Sequence, residues 1–182
     1  ERARVMFRAG QVAKLLCAFV CVNFGVASSS AEANITLSWQ AKNQNGSPVA
    51  GAVISLDSSS TDSPFVAATT THAVMAQQNQ QFTPGVLVVR PGQKVGFPNL
   101  DRTQHHVYSF SETKTFELEL HSGDETELVQ FDNKGLVEIG CNIHDNMQGF
   151  ILVSATPWIG VTGEDGEVQL TGIPEGEYEL SI

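Results

Sequence analysis

From residue 35 onward, apolar and polar side chains alternate in short runs, as in Ile35-Thr36-Leu37-Ser38-Trp39-Gln40, and clusters of Gly, Pro, Asn and Asp separate one run from the next. A period of two sends successive side chains to opposite faces of an extended chain, so each run predicts a strand with one buried face. The strands expected are Ile35 to Gln40, Ala50 to Leu56, Val86 to Val89, Lys94 to Phe97, His106 to Phe110, Thr115 to Leu120, Glu125 to Gln130, Gly135 to Gly140, Phe150 to Val153, Glu167 to Leu170 and Tyr178 to Ile182. No stretch sustains a 3.6-residue apolar period, and the fold class that follows is all-β. Asp57 to Thr71 is rich in Ser and Thr and reads as a linker or long loop. His72 to Gln80 fits either a helical turn or an irregular edge strand.

The first 31 residues break this pattern. Arg8 and Lys14 precede an apolar run from Leu15 to Val26, which leads into Ala27-Ser28-Ser29-Ser30-Ala31. That order reads as a secretory signal peptide covering residues 1–31, with cleavage after Ala31 or Ala33, and the run is too short for a comfortable membrane span. Its removal would take away Cys17 and Cys21 and leave Cys141 as the one thiol of an exported chain, where a lone cysteine is expected to be metal-bound, buried or paired between chains. It would also leave six basic against nineteen acidic side chains, a net charge of −13 where the full 182-residue chain has −10. Nucleic acid and anionic lipid are poor partners for such a surface, and no membrane span is expected in the mature chain.

One segment concentrates chemistry. Cys141-Asn142-Ile143-His144-Asp145-Asn146-Met147 sets a thiolate, an imidazole and a thioether at Cys-x2-His-x2-Met spacing, directly after a strand. A blue-copper site takes two histidine nitrogens and a cysteine sulfur in a plane, with a weak methionine sulfur on the axis. One loop can carry three of these donors, and the fourth must come from elsewhere. His105 and His106, in Asp101-Arg102-Thr103-Gln104-His105-His106-Val107, are the candidates. A structural zinc site would favour several thiolates or histidines and no methionine.

These residues resemble the small cupredoxins, a family that includes plastocyanin, amicyanin, pseudoazurin and halocyanin. Phe82, Pro84, Leu87, Val89, Gly92, Val95, Phe97, Asn99, Asp101, His105 and Val107 fall at the family's spacing, and the Cys141 to Met147 loop is similar to that of amicyanin. A bacterial group of plastocyanin-like proteins, often labelled methylamine-utilisation proteins, has similar His-His-Val-Tyr-Ser-Phe and Cys-Asn-Ile-His-Asp segments; the label implies nothing about methylamine here. The resemblance implies a cupredoxin Greek-key β-sandwich and one type 1 copper ion held by His105, Cys141, His144 and Met147. It favours His105 over His106, and strand alternation agrees because His105 and Val107 share a face. In plastocyanin-like proteins the residue beside this ligand helps to brace the copper loop, and His106 stands at that position.

The flanks carry a weaker likeness. Asn45 to Leu56 resembles the opening of a carboxypeptidase-regulatory-like β-sandwich, and Glu164 to Leu170 with Ile173 to Tyr178 resembles its closing strands. Two readings stay open: a small sandwich built from both chain ends, or strands that extend the cupredoxin sheet. The organisation expected is a leader at 1–31, accessory strands at 32–64, a copper domain at 65–155 and accessory strands at 156–182. His72 and His121 read as surface residues, and Met75 and Trp158 as packing.

The function this implies is one-electron transfer by an exported, periplasmic protein to or from a redox partner such as a cytochrome or a dehydrogenase. A copper carrier, sensor or storage module would use the same ligands. Copper enzymes built on cupredoxin domains need several further histidines, and the chain has five in all, so it is not expected to be an enzyme.

Overall fold

A computed structural model describes residues 2–7, 16–17, 20–25, 35–58, 71–123 and 127–182. The chain divides into two compact units, one of residues 1–65 with 156–182 and the other of residues 66–155. Strands are numbered in chain order. The expected cleavage sites after Ala31 and Ala33, most of the Ser/Thr-rich linker and the start of the Glu125 to Gln130 run lie outside the described residues.

The first unit contains β1 (Arg2–Phe7), β2 (Leu16–Cys17), β3 (Val20–Gly25), β4 (Ile35–Gln40) and β5 (Val53–Ser58). The second contains β6 (Ala73–Val74), β7 (Ala76–Gln78), β8 (Gln81–Thr83), β9 (Val86–Val89), β10 (Gln93–Gly96), β11 (His105–Ser111), β12 (Lys114–His121), β13 (Leu128–Phe131), β14 (Gly135–Cys141) and β15 (Gln148–Val153). The chain then returns to the first unit with β16 (Ile159–Val161), β17 (Glu167–Ile173) and β18 (Gly176–Ser181). The described residues contain no helix.

In the first unit, one sheet has the order β1-β18-β5-β16 and the other β17-β4-β3-β2. The alternation of Ile35 to Gln40 becomes burial directly: Ile35, Leu37 and Trp39 are buried and the residues between them half-buried. Against them pack Ile54, Leu56, Leu170, Ile173, Tyr178 and Leu180 in one core. Each such aliphatic or aromatic side chain stabilises the fold by about 1.5–3 kcal/mol relative to exposure. The Ala50 to Leu56 run starts its strand late, at Val53, because Gly51 turns the chain with φ +77° and its N–H donates to the Thr162 carbonyl at 3.0 Å. Gly166 closes the neighbouring turn at φ +73°, and a Cβ there would lie 2.5 Å from the Ala41 carbonyl oxygen, so no larger residue fits. Two segments of the stretch read as a leader are strands: Arg2–Phe7 pairs with β18, where Phe7 is buried 5.6 Å from the Tyr178 ring, and Val20–Gly25 pairs with β4.

In the second unit, a five-stranded sheet of order β12-β11-β14-β15-β9 and a three-stranded sheet of order β13-β10-β6 share one core. Val107, Val137, Ile139, Ile151 and Val153 enter it from the larger sheet and Val95, Val129 and Phe131 from the smaller, with Phe97 and Met75 from adjoining segments. His72 to Gln80 resolves as strand: β7 turns back into β8 through Asn79 and Gln80, at φ 56° and 58°. Two successive left-handed residues are what a tight two-residue hairpin requires.

Candidate metal centre

Strand register explains how distant residues meet. Val107 of β11 is the cross-strand partner of Cys141, the last residue of β14. His105, two residues earlier, therefore faces the loop that follows Cys141. That loop closes the β14–β15 hairpin above the Gly140–Gln148 pair, and its turn is fixed by the Met147 N–H donating to the His144 carbonyl at 2.9 Å. Gly140 leaves room beside it for Tyr108: a Cβ there would come within 2.9 Å of the Tyr108 hydroxyl and would displace that ring.

His105 Nδ1 and His144 Nδ1 each lie 3.8 Å from Cys141 Sγ, and the three atoms fall within 4.8 Å of one another. His105 is fully buried, Cys141 is 5% exposed and His144 half-buried. Met147 is 2% exposed and, with Cys141, borders a cavity of about 660 Å³. The spacing fits a first-row ion. Donors 120° apart, at roughly 2.0 Å for nitrogen and 2.3 Å for sulfur, put the sulfur about 3.7 Å from each nitrogen. The donor set of two imidazoles, one thiol and a nearby thioether suits copper better than zinc or a hard cation.

Asp101 lies against the buried candidate ligand His105. Its Oδ2 accepts a hydrogen bond from His105 Nε2 at 2.9 Å. A carboxylate only accepts, so the proton sits on Nε2 and the Nδ1 lone pair is left toward Cys141. Asp101 is itself held by the backbone N–H groups of Asn79 and Gln80, at 2.7 and 2.9 Å, across the β7–β8 turn. The Gln80 N–H above all, with His105 and the Asn79 N–H, keeps the carboxyl below its usual pKa against the opposite pull of partial burial. Asn99 tightens the same loop, its Oδ1 accepting from the Asp101 N–H and its Nδ2 donating to the Thr103 and His121 carbonyls.

His106 points away from the loop. Its Nε2 pairs with Glu117 of β12 at 2.8 Å, and its buried Nδ1 has no partner among the described residues. His72 is exposed, but His121, expected at the surface, is half-buried with both ring nitrogens within 3.0 Å of backbone carbonyls, Nδ1 of Glu119 and Nε2 of Phe97. The reason is a bulge between the His105–His121 and Val107–Leu118 pairs, which turns the end of β12 inward. The Asp101 contact was missed in the sequence, where Asp101 served only as a spacing marker; the carboxylate four residues before a candidate ligand was the available signal.

No protein-family model matches the chain, and no curated protein matches it. Similar solved structures include a purple cupredoxin from Nitrosopumilus maritimus, at 20% identity over 45% of this chain and 99% of that one, with a TM-score of 0.41. Amicyanin from Paracoccus versutus is similar at 18% identity over 56% of this chain and 97% of that one, TM-score 0.42. A copper-containing nitrite reductase from Thermus scotoductus is similar at 21% identity over 50% of this chain and 25% of that one, TM-score 0.44.

Proposed function

We infer that the chain is an exported type 1 copper protein that carries single electrons, with His105, Cys141, His144 and Met147 as ligands of one copper ion. The observation that carries this reading is the convergence of two Nδ1 atoms on one buried sulfur, each at 3.8 Å, beside a buried methionine. Bound copper supplies one-electron exchange between its Cu(II) and Cu(I) forms. The chain's own contribution is a fixed frame. His105 and Cys141 are carried by paired strands, and the His144–Met147 turn by its own backbone hydrogen bond, so the donors keep one arrangement.

His144 is the half-buried ligand, and its neighbour Ile143 is 48% exposed, which makes this edge of the loop the approach for a redox partner. The net charge, −13 once residues 1–31 are removed, would steer a basic partner, such as a cytochrome, toward the molecule. Among the described residues no helix is long and apolar enough to cross a membrane. Export rests on the basic-then-apolar order of residues 8–26, and the N-terminal sequence of the protein recovered from the periplasm tests it. Voltammetry of the copper-loaded protein tests electron carriage: a reversible one-electron wave is expected, and copper bound without any such wave would overturn it in favour of a copper carrier or store.

A further inference from the structure

We propose that Asp101 is a positioning residue of the metal centre: its carboxylate, anchored on the Asn79–Gln80 turn, locks His105 in the tautomer that presents Nδ1 to the metal and strengthens the metal's hold. This deepens the copper reading above and rests on it. Three contacts in series join the turn to the metal centre. The turn donates two backbone N–H groups to the two carboxylate oxygens, at 2.7 and 2.9 Å. The carboxylate in turn accepts from His105 Nε2 at 2.9 Å, with the ring wholly buried and the Asp101 side chain 17% exposed. The far side of the same ring places Nδ1 3.8 Å from Cys141 Sγ. A carboxylate held by two amides cannot swing away to accept from other donors, so the ring cannot rotate or exchange tautomers without breaking a charge-assisted hydrogen bond. The anion beside the ligand also favours the more positive metal state. The positive φ of Asn79 and Gln80, which the two-residue hairpin requires, turns both of their amides onto the Asp101 carboxylate.

Two measurements test the role. In the metal-free wild-type protein, nitrogen-15 imidazole spectra should show His105 protonated at Nε2 and bare at Nδ1; a proton on Nδ1, or a mixture of tautomers, would overturn the proposal. This reading needs no metal, so it stands apart from the copper assignment, which fails separately if the wild type binds no copper. In the Asp101→Asn variant, copper(II) competition titration should show affinity weaker by roughly ten- to a hundredfold, as outer-sphere carboxylates typically contribute, and the reduction potential should rise. A folded Asp101→Asn protein with wild-type affinity and potential would overturn the proposal. Should that variant fail to fold, the wild-type tautomer decides.

Discussion

Both units of the chain are sandwiches of paired sheets over aliphatic and aromatic cores, yet they treat buried polar groups in different ways. Among the described residues of the first unit, the buried polar ones are Ser55, Thr156 and Thr162. Thr156 donates to the Leu56 carbonyl, while Thr162 donates to the Val49 carbonyl at 2.7 Å and accepts from the Ala52 N–H at 3.0 Å. These hydroxyls are used up in fastening loops to strands. In the second unit the buried polar residues include His105, His106, Gln77 and Asn99, large groups with several donor and acceptor positions each. Interior polar groups are expensive unless paired. His105 pairs one nitrogen with Asp101 and turns the other onto the Cys141 thiol at 3.8 Å. What sets the second unit apart is the convergence of two imidazole nitrogens on one buried sulfur; in the first unit Trp39 Nε1 is buried without a partner among the described residues, with no such cluster around it.

The sharpest way to break that contrast is to remove the sulfur. Cys141→Ser should abolish the strong visible band of the copper-loaded protein while leaving the far-ultraviolet circular dichroism of the metal-free protein unchanged. A retained band would put the metal elsewhere. A core truncation in the first unit should do the reverse. Ile54 is fully buried, and Ile54→Ala should destabilise by about 2–5 kcal/mol in denaturant unfolding, with the copper spectrum at native conditions unaltered. Thr162→Val sharpens the point about satisfied hydroxyls: it strands the Ala52 N–H and should destabilise by about 1–3 kcal/mol, again without touching the spectrum. Met147→Gln should keep copper bound and lower the reduction potential, since amide oxygen favours the oxidised ion more than a thioether does.

The smallest effect is the pH dependence of Asp101. Its pKa is lowered in the fold, chiefly by the Gln80 N–H. The stability it contributes is therefore present above the usual aspartate value of about 3.9 and is lost as pH falls through its lowered native value. Acid unfolding of the metal-free protein should be less steep in Asp101→Asn over that range.

Alternating and uniformly apolar runs were legible in the sequence, as Ile35–Gln40 and Val86–Val89 respectively show by matching their expected limits. Strands carrying neither signal were not. Ile159–Val161 contains a glycine and is half-buried throughout, and Ala73–Val74 is too short to carry a period. Arg2–Phe7 alternates exposed and half-buried positions up to the buried Phe7, and it lies within the stretch expected to be a leader. The Cys141 to Met147 loop was readable because its donors are close in sequence and of rare combination. Choosing His105 needed strand parity as well. Asp101 was within reach through its spacing from His105, but the turn that anchors it was not, because the anchors lie 21 and 22 residues away and are backbone amides, which every residue but proline carries. His121 was misread for a related reason, since a bulge changes which way the end of a strand faces.

Titration of the metal-free protein with copper(II), followed by visible absorption and electron paramagnetic resonance, tests the central claim most directly. One equivalent should produce an intense visible band and the narrow copper hyperfine splitting of a copper–thiolate bond, with no further change beyond that ratio. A colourless protein, or one whose copper shows the wide splitting of an ordinary nitrogen and oxygen site, would contradict the account.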